Sequence, residues 1–263
     1  MRNIKFIICC IICLLLVACI CSCDNGEGSG QPSTDAPQTN APEQTTGESE
    51  TTGVINPPPN PEKNTGLDDA LFIGDSRSHG IKIYSNLEKK GATFFTNVGM
   101  SIYNVRNTEV YVTNQGNYKI EQLLTEKKYG KIFLMLGVNE IGYPFNPTVS
   151  NYKTFVEDIQ KLQPDALIFI QANLKVTKAV SDANIKANWP VNNPMIDTFN
   201  EAIKVAADNK KVFYIDINEK FNDGNGNMPT DKAGGDGIHV TANAYVEWAS
   251  WIEEQTAKIV NEI

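Results

Sequence analysis

Five short apolar runs occur in the last three quarters of the chain, and stretches with helical periodicity separate them. The runs lie at residues 70–73, 93–97, 131–136, 166–171 and 212–215. Continuous apolar runs of this length are typical of strands that are buried on both faces of a parallel sheet. Strands that alternate with helices predict helices on both sides of such a sheet. The pattern therefore predicts an α/β fold, a three-layer α/β/α sandwich of flavodoxin-like type with about five parallel strands.

The stretches between these runs contain the predicted helices and loops. Helices are expected at residues 76–88, at 120–127, from Pro147 onward, at 195–208 and from Thr241 onward. Pro147 suits a first helical turn, and the hydroxyl of Thr241 can cap the last helix. A short hairpin is expected within residues 110–118, and residues 172–190 and 219–237 are expected to be long loops.

The N-terminus has the pattern of an export signal. In residues 1–23, Arg2 and Lys5 precede a long apolar run, as in a secretory signal peptide. The end of that run, Leu-Val-Ala-Cys at Cys19, resembles the bacterial lipobox, in which the cysteine is lipidated; Cys23 is the alternative position. This predicts a lipid anchor on the extracellular face of a bacterial cell membrane, and a plain secretory leader is the other interpretation.

Residues 24–67 have the composition of a linker. They consist mainly of Gly, Ser, Thr, Pro, Asn, Gln and Glu, with very few apolar side chains. Such a segment cannot bury enough apolar surface to offset the entropy of ordering, so we expect a disordered tether. The remaining residues, 68–263, are expected to form one domain.

Cysteine positions and charge exclude several classes of function. All six cysteines lie before residue 24, so the domain has no disulfide, no cysteine metal site and no thiol nucleophile. It contains two histidines, distant in sequence, and no ligand cluster for a metal is recognisable. The whole chain has a net charge of −8 and no basic cluster, which argues against nucleic acid as a partner.

Candidate chemistry lies at the ends of the predicted strands, where ligands bind in open α/β sheets. Ser76 follows the first strand in the tripeptide Gly-Asp-Ser, and Asp236 and His239 lie three residues apart before the last helix. A serine hydroxyl needs a base to become a nucleophile, and a histidine needs a carboxylate to fix its tautomer. His79 is the rival base, but it has no evident carboxylate partner. Each residue also has an ordinary structural interpretation as a cap, a turn or a surface residue.

These residues resemble the sequence blocks of the SGNH hydrolases, also called the GDSL family of esterases and acylhydrolases. The four blocks occur in order as Gly74-Asp75-Ser76, Gly99, Gly137-Val138-Asn139-Glu140 and Asp236-x-x-His239. The α/β-hydrolase pattern Gly-x-Ser-x-Gly does not fit, because Ser78 stands where that pattern requires its second glycine.

The resemblance implies roles for five residues. Ser76 would be the nucleophile, His239 the general base and Asp236 its orienting partner. The oxyanion hole would consist of the backbone N–H groups of Ser76 and Gly99 and the side-chain amide of Asn139.

Two residues depart from the family pattern. Arg77 replaces the leucine of the family name, which predicts a different wall of the substrate pocket. Glu140 replaces the usual aspartate, at a position outside the catalytic triad.

We therefore expect an exported serine esterase that hydrolyses short-chain acyl esters on extracellular carbohydrate and needs no cofactor. Its partner would be a small acyl ester or an acylated polysaccharide, and the loop residues Tyr103, Tyr143 and Trp189 are candidates for stacking on sugar rings. An O-acyltransferase that acts on cell-surface polysaccharide and a non-catalytic glycan-binding module are the alternatives.

Overall fold

The computed structural model describes residues 63–263. The predicted signal peptide, both candidate lipidation sites, Cys19 and Cys23, and nearly all of the predicted linker lie outside these residues. Leu67, at the end of that linker, is already buried in the core. No helix within residues 63–263 is both long enough and apolar enough to cross a membrane.

Seven strands and six α-helices make up the described part of the chain. The strands are β1 (Ala70–Gly74), β2 (Thr93–Thr96), β3 (Val110–Val112), β4 (Gly116–Tyr118), β5 (Lys131–Met135), β6 (Leu167–Gln171) and β7 (Val212–Ile215). The helices are α1 (Ser76–Tyr84), α2 (Ile120–Glu126), α3 (Phe145–Leu162), α4 (Lys178–Lys186), α5 (Asn193–Lys204) and α6 (Ala242–Glu262), with a 3-10 turn at Ile217–Glu219.

The main sheet has the order β2-β1-β5-β6-β7, and all of its strands are parallel. Strands β3 and β4 form the expected separate antiparallel hairpin. In a doubly wound sheet of this order, the crevice lies between β1 and β5, where the direction of winding reverses. The predicted α/β/α sandwich with a five-stranded parallel sheet is confirmed.

One phenylalanine from each main strand stacks on the next across the whole sheet. These residues, which we call the phenylalanine row, are Phe94, Phe72, Phe133, Phe169 and Phe213 in spatial order. Their ring centroids are separated by 4.7, 4.6, 4.7 and 5.7 Å, and each pair is directly opposite in the strand register. A one-residue slip would turn a ring to the other face, so the row fixes the register of the parallel strands.

Helices cover both faces of the sheet. The phenylalanine row packs against the helices α1 and α6, whose buried side chains include Ile81, Tyr245 and Trp248. The alternate strand residues, such as Leu71 and Ile73, face α2, α3 and α5. This alternation follows from the two-residue period of a strand. Because both faces of the sheet are buried, the sequence of each strand is a continuous apolar run.

Several helix limits differ from those expected. Helix α1 ends at Tyr84 rather than near residue 88, because the Ser85 hydroxyl bonds to the Ile81 carbonyl and Leu87 folds back into the core. Helix α3 begins two residues before Pro147, which therefore lies in the first turn, where proline is tolerated. Helix α5 runs from residue 193 to residue 204, not from 195 to 208.

The prediction that residues 172–190 form only a loop was wrong, because they contain α4. Thr177 caps α4, and Ser181 is the only buried residue of α4. A helix with so little buried surface lacks the apolar periodicity by which the other helices were recognised. The cap at Thr241 of α6 was predicted correctly, since the Thr241 hydroxyl accepts a hydrogen bond from the Ala244 N–H at 3.3 Å.

The central ring of the phenylalanine row should make a large contribution to stability. We expect Phe133→Ala to lower the free energy of unfolding by about 3–5 kcal/mol, because it leaves a cavity between two stacked rings. Phe133→Leu should cost less, because it retains most of the apolar volume. Tyr111→Ala, on the exposed side of β3, is the control and should change stability by about 0.5 kcal/mol or less. Urea denaturation measures all three, and equal midpoints for Phe133→Ala and Tyr111→Ala would contradict the role of the row.

Candidate active site

The loop between β1 and α1 presents the hydroxyl of Ser76 at the edge of the sheet. Asp75 is the N-cap of α1, and its Oδ1 atom accepts the Arg77 N–H at 2.9 Å. Because Asp75 fills the capping position, Ser76 is the first residue of the helix and its hydroxyl is not used as a cap. The capping interpretation of Ser76 is therefore wrong, and the side chain is available for another partner.

That partner is His239. The Ser76 Oγ atom lies 2.8 Å from His239 Nε2, and His239 Nδ1 lies 2.6 Å from Asp236 Oδ2. The other carboxylate oxygen of Asp236 accepts the backbone N–H groups of Ile238 and His239, each at 2.9 Å. One carboxylate thus holds both the histidine ring and the loop that carries it.

The charge of Asp236 decides which nitrogen of His239 carries the proton. Partial burial would raise the pKa of Asp236, but the hydrogen bonds from the His239 ring and from the two backbone N–H groups outweigh burial and hold this pKa well below its usual range. An ionised carboxylate can only accept hydrogen bonds. His239 therefore donates its Nδ1 proton to Asp236, which leaves Nε2 to accept the Ser76 hydroxyl proton.

Gly99 and Asn139 lie at the same edge of the sheet. The Asn97 N–H donates to the Gly74 carbonyl at 3.2 Å, which holds the turn after β2 beside the end of β1. Gly99 has a φ of +75°, and a Cβ atom built on it would meet nothing within 4 Å, so its backbone borders open space. Asn139 Nδ2 donates one hydrogen to the Met100 carbonyl at 2.9 Å. The amide has a second N–H that this bond does not use.

Glu140 is a structural member of the site that sequence reasoning missed. It is 2% exposed, and its Oε1 atom accepts the backbone N–H of Ile102. Burial and the nearby charge of Asp75 raise the pKa of Glu140 to about 7, against the opposing bond from Ile102. Asn139 and Glu140 therefore hold two successive points of the loop that carries Gly99. Glu140 differs from the family pattern, which is a signal, but its burial could not be read from the sequence.

Arg77, which departs from the family pattern and was expected to alter the wall of the substrate pocket, is a buried side chain. It is 1% exposed, and its Nη2 atom lies 3.5 Å from the Ile238 carbonyl in the loop that carries His239. Burial lowers the pKa of Arg77, and the neighbouring charge of Asp75 opposes that shift. Burial likewise raises the pKa of Asp75, with Arg77 acting against it. Asp75 and Arg77 are thus two buried charged side chains next to Ser76 in the sequence, and the hydrogen bond between them uses the Arg77 backbone N–H rather than its guanidinium group.

The rival base, His79, has a different environment. Its Nδ1 atom lies 3.1 Å from the Thr96 hydroxyl. Burial and the nearby Lys82 lower its pKa. Within residues 63–263, no three His, Cys, Asp or Glu side chains gather into a set that could hold a metal ion.

The buried carboxyl of Glu140 should make stability depend on pH. Its pKa in the folded protein, about 7, exceeds the usual value of 4.5. The contribution of the Glu140 carboxyl to the free energy of unfolding is therefore fully present below about pH 4.5. It is lost as the pH rises through 7, and the total loss is about 3 kcal/mol. We expect the free energy of unfolding, measured with urea between pH 5 and 8, to fall less steeply in Glu140→Gln than in the wild type. Glu121→Gln, at an exposed position of α2, is the control. Parallel pH profiles for all three proteins would contradict the assignment.

Comparison with known proteins identifies the family. The model of the GDSL-like lipase/acylhydrolase family matches residues 72–246. A GDSL-like lipase from Bacteroides thetaiotaomicron superposes with a TM-score of 0.52 at 14% identity, covering 73% of this chain and 88% of its own. A carbohydrate esterase family 3 protein from Talaromyces cellulolyticus superposes with a TM-score of 0.50 at 13% identity, covering 74% and 98%. At these identities the structures support the fold alone, and no curated protein sequence matches. The family match spans more than half of the sequence, and the chain belongs to the GDSL-like lipase/acylhydrolase family.

Proposed function

We propose that the protein is a serine esterase in which Ser76, His239 and Asp236 form the catalytic triad. The observation that carries this proposal is the unbroken hydrogen-bonded series from the Ser76 hydroxyl through the His239 ring to the Asp236 carboxylate, with distances of 2.8 and 2.6 Å. The tautomer imposed by Asp236 leaves His239 Nε2 ready to accept a proton from the serine, as nucleophilic catalysis requires.

The reaction would proceed through an acyl-enzyme. As Ser76 Oγ attacks the ester carbonyl, its proton moves to His239 Nε2, and the negative charge develops on the former carbonyl oxygen. The N–H groups of Ser76 and Gly99 and the second amide N–H of Asn139 would stabilise that charge. His239 then gives the proton to the departing alcohol. A water molecule then attacks the acyl-enzyme as His239 takes its proton, the bond between the carbonyl carbon and Ser76 Oγ breaks, and His239 returns the proton to Ser76 as the acid leaves.

The proposed substrate is a short-chain acyl ester of a carbohydrate outside the cell. Membership of an acylhydrolase family supports ester chemistry, and the match to a fold that a carbohydrate esterase also uses is compatible with a sugar alcohol. The proposed location, the extracellular face of a bacterial membrane, rests on the N-terminal sequence, with Cys19, or alternatively Cys23, as the lipidated residue.

Replacement of the nucleophile tests the proposal. We expect Ser76→Ala to lower kcat on p-nitrophenyl acetate by about a thousandfold or more, because no other hydroxyl among residues 63–263 is hydrogen-bonded to the His239 ring. Ser250→Ala, at an exposed position of α6, is the control and should retain wild-type activity. The release of p-nitrophenol measures both variants, and an active Ser76→Ala protein would show that the nucleophile is another residue.

Product analysis separates hydrolysis from transfer. With a sugar acceptor present, we expect the free acid to remain the main product. A dominant acylated sugar would instead favour an O-acyltransferase, which can use the same three residues.

A further inference from the structure

The segment between β6 and α5, residues 172–192, connects the two sides of the candidate active site. Near its start, the Thr177 N–H donates to the Gly237 carbonyl at 3.0 Å, two residues before His239. Near its end, Pro190 packs so closely on Gly142 that a Cβ atom on this glycine would lie 2.6 Å from the proline ring. Gly142 is three residues after Asn139. The segment therefore reaches from the loop with the proposed base to the loop with a proposed oxyanion donor.

Three aromatic side chains with exposed rings lie along this second side. We call Tyr103, Tyr143 and Trp189, which are 41%, 53% and 47% exposed, the aromatic rim. The rings of Tyr103 and Tyr143 are stacked, with centroids 5.3 Å apart. The hydroxyl of Tyr103 bonds to that of Thr148 at 2.7 Å, so this ring is held in place. Trp189 precedes the proline that packs on Gly142.

Two members of the aromatic rim lie on the loops that carry the proposed oxyanion donors. Tyr103 follows Gly99 by four residues, and Tyr143 follows Asn139 by four residues, a span of at most about 14 Å in each case. The third member, Trp189, lines a shallow recess of about 420 Å³ together with Pro190 and the exposed Asn188. Exposed apolar surface of this kind beside a reactive centre is typical of a ligand-binding groove.

The chemistry of this surface favours a sugar ring over a fatty acyl chain. Each rim ring is about half exposed, so an acyl chain lying on it would stay partly in water and gain little from burial. A pyranose needs less enclosure, because its C–H face can stack on a flat aromatic ring while its hydroxyls remain hydrated. The side-chain amide of Asn188 at the recess can exchange hydrogen bonds with such hydroxyls.

We propose that the aromatic rim is a subsite that binds a pyranose ring of the alcohol part of the ester, with Trp189 as its main contact. This inference rests on the proposed esterase function and specifies the side of the site on which the leaving alcohol lies. The acyl group would then occupy the side of Ser76 away from the rim.

The test compares two acetate esters that differ only in the alcohol. The full-length protein is assayed on acetylated xylobiose, which contains pyranose rings, and separately on ethyl acetate, which contains none. The release of acetic acid is followed at constant pH. We expect Trp189→Ala to lower the ratio of kcat/KM for acetylated xylobiose to that for ethyl acetate by about tenfold, mainly through KM. Tyr143→Ala should lower the ratio in the same direction. Tyr111→Ala, at an exposed aromatic of the hairpin outside the rim, should keep the wild-type ratio.

Three results would overturn the subsite. The first is an unchanged ratio in Trp189→Ala. The second is a selective loss of activity on ethyl octanoate, which would assign the rim to the acyl chain. The third is a wild-type dimer that Trp189→Ala dissociates without a change in ratio, which would assign the rim to a second copy of the chain.

A binding measurement separates failure of the subsite from failure of the esterase proposal. Xylohexaose, which has no ester, is titrated into Ser76→Ala protein and into the double variant with Trp189→Ala, with the heat of binding in isothermal titration calorimetry as the readout. Binding that only the double variant loses supports the subsite, even if the wild type hydrolyses neither acetate. Equal binding by both variants, or binding by neither, counts against it.

Discussion

The in-register stack of the phenylalanine row is the constraint on which the rest of the structure depends. Each ring stands opposite its neighbour, so the row sets the register in which adjacent strands pair. The end of β1 therefore lies beside the ends of β2 and β5. The proposed nucleophile and oxyanion donors follow these three strand ends, and a shift of one strand by a single residue would separate them.

Two aspartates of the site have opposite electrostatic environments, and each environment suits its role. Asp75 is fully buried beside Arg77 and uses its carboxylate to cap α1, which stiffens the turn under the serine. Asp236 lies near the surface and accepts three hydrogen bonds, which keep it ionised. Glu140 adds a third carboxyl, which braces the loop of Gly99 from inside. The reactive groups are thus few, and most of the buried polar side chains around them serve to hold loops in position.

The sequence predicted the sheet well because burial on both faces leaves a clear pattern, a run of apolar residues ended by a glycine or a polar residue. The resemblance to four sequence blocks of a known family joined Ser76, Asp236 and His239, and the structure places the three side chains within hydrogen-bonding distance in series. Helix α4 could not be predicted, since a helix that buries only Ser181 has no apolar face. The burial of Arg77 and Glu140 was equally inaccessible, because both side chains are charged types that usually lie at the surface, and only tertiary packing encloses them.

The way residues 172–192 are attached has a consequence for how this fold can diversify. Their contacts include a backbone hydrogen bond at Gly237, the packing of a proline on Gly142 and the buried Ser181 hydroxyl, which accepts the Asn193 N–H, whereas most residues from 178 to 189 are exposed. Substitutions at those exposed positions leave these contacts, the sheet and the hydrogen-bonded series at Ser76 untouched. Related chains can therefore vary these exposed positions by mutation at little cost in folding, while the loops that hold Ser76 and His239 keep their places.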